Sequence, residues 1–172
     1  MFKNIAEFNR VSDYLPILNS VLITDMLVIL LLNVGIIKSN VLKQWYKKYN
    51  LSAVIADVLI IVIGIIITRF LYSYIFAGAF SIWKFIFLAV IIQMIHDISF
   101  YYFFKNVPKG MNMMLDTFKS YADEVKYKAI LADSGMVILA CLIASYSANY
   151  SLNKNLIILI ASVYILPYLI YN

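Results

Sequence analysis

Five long apolar stretches constrain this chain more than any other feature of its sequence. They cover about 14–36, 51–76, 79–104, 127–148 and 155–171. A helix needs about 20 apolar residues to cross the hydrocarbon core of a bilayer, and each stretch reaches or approaches that length. Runs such as VLIIVIGIII do not alternate apolar and polar residues, as the strands of membrane barrels do. We therefore predict an all-α fold, a polytopic membrane bundle of about five transmembrane helices in a single domain covering 1–172.

The composition excludes a water-soluble fold. Hydrophobic residues make up 64% of the chain and charged residues 13%, against about 45–50% and 25% in soluble domains. A soluble domain of 172 residues cannot bury so much apolar surface in its own core. Lipid is therefore expected to cover the remainder, which makes the bilayer the first predicted partner.

The segment before the first apolar stretch has a helical pattern of its own. Its apolar residues at helical spacing are Phe2, Ile5, Phe8 and Val11. This spacing predicts a short amphipathic helix lying on the membrane. The segment has no apolar run of the length found in cleavable signals, so we expect the first membrane helix to direct insertion.

Lysine and arginine residues predict the orientation, because they gather in cytoplasmic loops. With five spans, the loops after the first and third helices share one side. Nine lysines lie on that side: Lys38, Lys43, Lys47, Lys48, Lys105, Lys109, Lys119, Lys126 and Lys128. Five basic residues lie on the other: Lys3, Arg10, Arg69, Lys84 and Lys154. The count predicts an external or lumenal N-terminus and a cytoplasmic C-terminus.

Two cytoplasmic segments, 38–50 and 106–126, alternate apolar and charged residues at helical spacing. We predict that both are amphipathic helices along the headgroups, with protein docking as the alternative for 106–126. The residues predicted to contact the lipid surface are Lys43, Trp45, Lys47 and Lys48. Their lysines favour anionic lipids at the cytoplasmic face. Nothing in the sequence is typical of a nucleic-acid-binding module, and a homo-oligomer stays open.

Charged residues within the apolar stretches carry most of the functional information. The acidic residues and the histidine among them are Asp25, Asp57, His96, Asp97 and Asp133. Each charge at a helix centre costs about 2.5–3.5 kcal/mol on insertion scales, so these side chains should face one another, water or a ligand. Counted from the cytoplasmic boundary, Asp57, Asp97 and Asp133 lie about 9–11 Å deep, and Asp25 a few Å deeper. The sequence therefore predicts one polar layer drawn from four helices.

Helical spacing extends this layer along the third stretch, where Gln93, Asp97 and Tyr101 share a face. The first interpretation is structural: the carboxylates bond neighbouring helices and fix which helices touch. The second is a proton relay or cation site in a transporter or channel. The third is a metal site for chemistry on lipid headgroups, with Asp57, His96, Asp97 and Asp133 as candidate ligands. No HExxH, Walker or TVGYG motif chooses among them, and no cofactor is indicated.

Three small residues in the fourth stretch predict a packing contact. Ala140, Ala144 and Ala148 are spaced four apart, with Ser145 nearby. Such a ridge of small side chains permits close approach of another helix.

Several segments carry a resemblance to a known group of proteins. They are SVLITD, LSAVIAD, QMIHDISFYYFF, NVPKGMNMMLDTFKSYADEV and AILADSGM. These stretches, spread over 20–170, resemble small multispan membrane proteins of giant viruses, the nucleocytoplasmic large DNA viruses. The resemblance implies a viral protein in a host-derived or internal virion membrane, and it carries over no site residues. We therefore expect a viral membrane component with a structural, assembly or membrane-organising role, with the transport and enzyme alternatives open.

Overall fold

The computed structural model describes residues 2–125 and 127–171. A short 3-10 turn at Val11–Asp13 leads into the first helix. The α helices are α1 Tyr14–Asn33, α2 Asn40–Tyr49, α3 Leu51–Ile75, α4 Ile82–Asn106, α5 Met113–Val125, α6 Tyr127–Ser147 and α7 Leu152–Ile170. The described residues contain no strand, and the predicted all-α class is confirmed.

Five of these helices, α1, α3, α4, α6 and α7, are long and apolar enough to cross a membrane, judged by length and composition. Their ends lie within a few residues of the ends of the five apolar stretches. Large apolar side chains stay exposed along them, including Ile63 on α3, Phe87 on α4 and Ile160 on α7. These features indicate an integral membrane protein, whose lipid would cover those side chains.

Helix α1 lies at the centre of the bundle. It packs against α3, α6 and α7, while α4 packs against α3 and α6. The α6 side of this packing includes Ala140 and Ala144, which are both fully buried. The small-residue ridge predicted in the fourth stretch is thus inside the bundle, where it lets α6 approach its neighbours closely.

Asparagine side chains join α7 to α1. The Asn19 Nδ2 donates to the Asn155 carbonyl at 2.8 Å. Nearer the C-terminus, the Asn33 Nδ2 donates to the Leu169 carbonyl, also at 2.8 Å. Because these bonds lie near the two ends of α7, they fix its position along α1.

The short helices α2 and α5 lie together at one end of the bundle, and we call this pair the cap. Helix α2 packs on α3 and α5, and α5 also packs on α4 and α6. The Tyr49 hydroxyl donates to the Met113 carbonyl at 2.6 Å, which joins the two cap helices. Asn50 has φ +48° and ψ −125°, a positive-φ conformation outside the left-handed helical region, and α2 turns directly into α3 at this residue.

The N-terminal segment lies at the opposite end, and the predicted amphipathic helix there is wrong. Residues 2–10 are not helical. The Lys3 N–H donates to the Ser145 carbonyl at 3.0 Å, and the Ser145 hydroxyl donates back to the Lys3 carbonyl at 2.6 Å. Ile5 is fully buried. A short helix is costly to nucleate, and here α6 satisfies the backbone while the bundle buries the apolar side chain.

Candidate functional site

Asp25 is the most completely buried acidic residue of the site. It lies on α1, its side chain is 0% exposed, and the Tyr46 hydroxyl donates to its Oδ1 at 2.8 Å. Its Oδ2 is buried and has no hydrogen-bond partner among the described residues. Burial raises the pKa of Tyr46 well above its usual range, and the charges of Asp57 and Asp25 raise it further. Tyr46 therefore stays a neutral donor at physiological pH.

Asp57 lies beside this pair on α3, two turns from the start of the helix. The Trp45 Nε1 donates to its Oδ2 at 2.9 Å. Trp45 is only 4% exposed, and its ring packs against Phe118 of α5 with centroids 4.7 Å apart. The prediction that Trp45 contacts the lipid surface is therefore wrong, because the indole points inward to a carboxylate. Neighbouring Lys43 is exposed.

Helix α4 contributes Asp97 together with two polar neighbours. The Gln93 Nε2 donates to Asp97 Oδ1 at 2.7 Å, and the His96 Nδ1 lies 3.2 Å from the same oxygen. Asp97 Oδ2 is buried without a hydrogen-bond partner in the described residues. The side chains of His96 and Asp97 are 34% and 15% exposed, so this part of the layer is open to the surroundings.

Tyr101, which shares a helix face with Asp97, belongs to a different part of the structure. Its ring is exposed and packs edge-on against Tyr102 and Phe104. No hydrogen bond joins it to a carboxylate in the part of the chain that the structure describes. The face of α4 that carries Asp97 therefore also carries Tyr101, but Tyr101 lies nearer the end of the helix, where its ring lies beneath Lys105.

Asp133 on α6 completes the layer. The negative charges of Asp97 and Asp57 both act on it. Tyr121 of α5 lies among the same groups: burial raises its pKa above the ordinary value, and the charges of Asp133, Asp57, Asp97 and Glu124 add to the effect. The cap therefore places a second protonated tyrosine over the carboxylates.

Helix ends give the depth of the layer. Asp57 and Asp133 each lie six residues after the start of their helices. Asp25 lies eight residues before the end of α1, and Asp97 nine before the end of α4. These separations correspond to about 9–14 Å along the helices. Asp97 is somewhat deeper than predicted because α4 continues for two residues beyond Phe104.

No lysine or arginine in the described residues forms an ion pair with any of these four aspartates. The charge of Asp57 also acts on Asp25, so the carboxylates influence one another. Like charges at close range in a poorly hydrated site disfavour joint ionisation. Such an arrangement favours uptake of protons or of a cation. Within the described residues, no group of three His, Cys, Asp or Glu side chains is close enough to hold a metal ion. The metal-dependent enzyme hypothesis therefore gains no support here, and a cation bound at the layer would need ligands besides these side chains.

A second polar cluster lies at the opposite end, around a residue that the sequence indicated only as a helix-end cation. Arg69 is 0% exposed, and its guanidinium donates to the backbone carbonyls of Glu7 and Arg10. It also lies 3.7 Å from Asp13, which Lys3 approaches to 3.4 Å. The Tyr14 ring packs on the guanidinium, 4.5 Å from its centroid. This cluster holds the N-terminal segment against the bundle.

Four residues take part in these clusters in ways that the sequence did not predict, although each is part of a recognisable sequence pattern. Trp45, Tyr46 and Tyr121 belong to amphipathic helices, whose apolar faces suit lipid as well as protein. Arg69 is a single cation in a mostly apolar stretch. Such a residue is usually buried with a partner, but the local sequence does not identify which distant residue that partner is.

No family model, curated protein or solved structure matches this chain. The resemblance to giant-virus membrane proteins therefore stays a prediction.

Proposed function

We propose that this protein binds protons or a cation at the carboxylate layer, as a step in their transport across a membrane. The observation that supports this proposal is the layer of four aspartates, none of which is paired with a lysine or arginine in the described residues. Within it, the charge of Asp57 acts on Asp25, and the charges of Asp97 and Asp57 act on Asp133. A purely structural set would be expected to have its oxygens satisfied by neighbouring helices. Here one oxygen of Asp25 and one of Asp97 are buried without a partner.

The surrounding groups suit this chemistry. Tyr46 and Trp45 each donate to one oxygen of a carboxylate, which fixes its orientation and leaves the other oxygen for a proton or cation. On α4, His96 lies beside Asp97 at the more exposed edge of the layer. An imidazole next to a carboxylate is a common route for proton exchange, since both groups accept and release protons.

The experiment compares flux and binding for single variants in which an amide replaces the acid. Asp57→Asn, Asp97→Asn and Asp133→Asn keep size and hydrogen-bonding capacity but do not ionise, so each should fold. Reconstituted in liposomes, each should lose most of the proton or cation flux that the wild type shows. Asp123→Asn on the exposed face of α5 is the matched control and should keep it. A wild type with neither flux nor cation binding, or layer variants that retain wild-type flux, would refute the proposal.

We further propose that the cap faces the cytoplasm, because eight of the nine lysines predicted on one side flank this end of the bundle, while the ninth, Lys126, lies outside the described residues. A cysteine introduced at an exposed cap position, such as Asp123→Cys, should react with an impermeant reagent only from the cytoplasmic side. Labelling from outside intact cells would reverse the orientation.

A second candidate function, membrane organisation or assembly, is favoured by the outer face of α2. Lys43, Lys47 and Lys48 are exposed there, while the aromatic side chains of the same helix point inward. Reversing the three lysines to Glu should weaken preference for anionic nanodiscs by about 1 kcal/mol per charge. An unchanged preference would remove this support. The membrane organised by the protein in this function would be the viral membrane predicted from the resemblance.

A further inference from the structure

A surface cavity of about 430 Å³ lies where α4 ends and α5 passes beside it. We propose that it is a binding site for one anionic phospholipid, with the headgroup phosphate among its lysines. The residues that carry the argument are Lys105, Lys109, Lys119, Tyr101, Phe104 and Val107. The proposal rests on the membrane placement of the five long helices and is independent of ion binding at the carboxylate layer.

Charge is the first argument for an anionic ligand. Three lysines line the cavity, and the one acidic residue in its lining is Asp123. Lys119 is held in place, since its Nζ donates to the Val107 carbonyl at 2.5 Å. Lys105 and Lys109 are exposed and form no ion pair within the described residues. Lys119 also forms an ion pair with Asp116 at 3.6 Å. The site therefore offers two unpaired ammonium groups beside a third that is already paired, and phosphate is a strong acceptor for such groups.

The lysines are not explained by helix termination alone. A basic residue in the last turn of a helix offsets the helix dipole, and this accounts for Lys105. Lys109 follows the end of α4, and Lys119 belongs to α5. Neither is a last-turn residue of α4, yet both line the same cavity as Lys105.

The wall of the cavity points to a lipid rather than to free phosphate. Tyr101, Phe104 and Val107 form an aromatic and apolar side next to the lysines. Lys105 lies over the Tyr101 ring, with its Nζ 5.6 Å from the centroid. Tyrosine and lysine at the end of a membrane helix are typical of the headgroup region, where one side of a site is wet and the other faces acyl chains.

The outer face of α2 provides a matched control. A shallow groove of about 310 Å³ there is lined by Asn40, Lys43, Gln44 and Lys47. It carries two lysines at the same end of the protein, but none of its lining residues is aromatic or aliphatic. General attraction to an anionic surface should involve both places, whereas retention of a single lipid should need the cavity.

The experiment is native mass spectrometry of the full chain in detergent, titrated with phosphatidylglycerol or phosphatidylcholine. The wild type should retain one phosphatidylglycerol in preference to phosphatidylcholine. Lys105→Gln with Lys109→Gln should weaken that first binding event about 25-fold, or about fivefold per lysine, corresponding to about 1 kcal/mol per charge. Lys43→Gln with Lys47→Gln should leave it within about twofold.

Other outcomes would overturn the proposal. Equal weakening by the two double variants would mean that the lysines act only as general surface charge. Equal retention of the two lipids would remove headgroup recognition, and displacement by millimolar inorganic phosphate would make this a free-phosphate site. Lys109→Gln alone, at an exposed loop position, tests the same idea if the double variant folds poorly. Liposome flux should be unchanged in these variants, so failure here is distinguishable from failure at the carboxylate layer.

Discussion

The hydrogen bond from the Tyr46 hydroxyl to Asp25 joins the cap to the central helix, and Tyr46→Phe removes it while keeping the ring. Both side chains are buried, and the bond is 2.8 Å long. Asp25 already has one buried oxygen without a partner among the described residues. After the substitution, neither carboxylate oxygen of Asp25 would have a hydrogen-bond donor among the described residues. We therefore expect a clear loss of stability from a change of a single atom.

The magnitude follows from what is left behind. Removing one partner of a buried hydrogen bond costs about 1–3 kcal/mol. Tyr49→Phe is the matched control, since its hydroxyl also joins the cap helices but bonds the Met113 carbonyl and the Thr117 hydroxyl near the surface. Water replaces those partners, so we expect about 0.5–1 kcal/mol there.

The assay is reversible unfolding in detergent, with the free energy of unfolding compared for wild type and both variants. A double-mutant cycle with Asp25→Leu separates the pair from its surroundings. When both polar partners are gone, no unpaired buried hydroxyl or carboxylate remains at this point. We therefore expect a coupling energy of about 1–3 kcal/mol. Equal destabilisation by Tyr46→Phe and Tyr49→Phe, together with additive losses in the cycle, would refute the role assigned to this bond.

Two further predictions concern the N-terminal cluster and the tyrosines. Arg69→Met should lower the free energy of unfolding by about 3 kcal/mol in chemical unfolding, because it leaves buried Asp13 with one partner fewer. Lys84→Met, at an exposed site near the same end, is the control and should change that free energy little. Equal losses in the two variants would contradict the argument. The pKa values of Tyr46 and Tyr121 are raised above their ordinary value of about 10. Their stabilising effect should therefore be complete below pH 10 and decline as pH rises through the folded-state pKa values. Unfolding measured from pH 8 to 12 should show this decline in the wild type and less of it in Tyr46→Phe, and identical profiles would count against it.

The long helices could be predicted because their driving force is local to each segment. An apolar stretch of sufficient length must satisfy its backbone internally in lipid, so its helical state follows from composition. The shared depth of Asp57 and Asp133 follows from the same logic, since it depends only on distance from a helix end. Gln93 could also be placed beside Asp97, because residues four apart share a helix face.

The roles of the cap aromatics could not be predicted, because amphipathic periodicity does not identify what covers the apolar face. The apolar face of α2 is covered by protein. Trp45 donates to Asp57, 12 residues later in the chain, and Tyr46 donates to Asp25, 21 residues earlier. The same limit applies at the other end. The Nη2 of Arg69 donates to carbonyls about 60 residues away, a pairing that no local pattern specifies.

The two polar clusters differ in the exposure of their side chains: Arg69 is 0% exposed, whereas the carboxylate layer includes partly exposed residues. Between them, α1 carries Ser20 and Thr24, but their hydroxyls donate to carbonyls of the same helix, at 2.7 and 2.8 Å. These hydroxyls are thus already donating within α1, and the Arg69 cluster lies at the end of the bundle opposite the cap. At the cap end, by contrast, His96 is 34% exposed. His96 therefore gives the layer an exposed edge, and a site that is reached from only one side binds saturably even when flux through the bundle is slow. For this reason cation binding in detergent is the more direct test of the layer, and liposome flux tests the additional step of release on the other side.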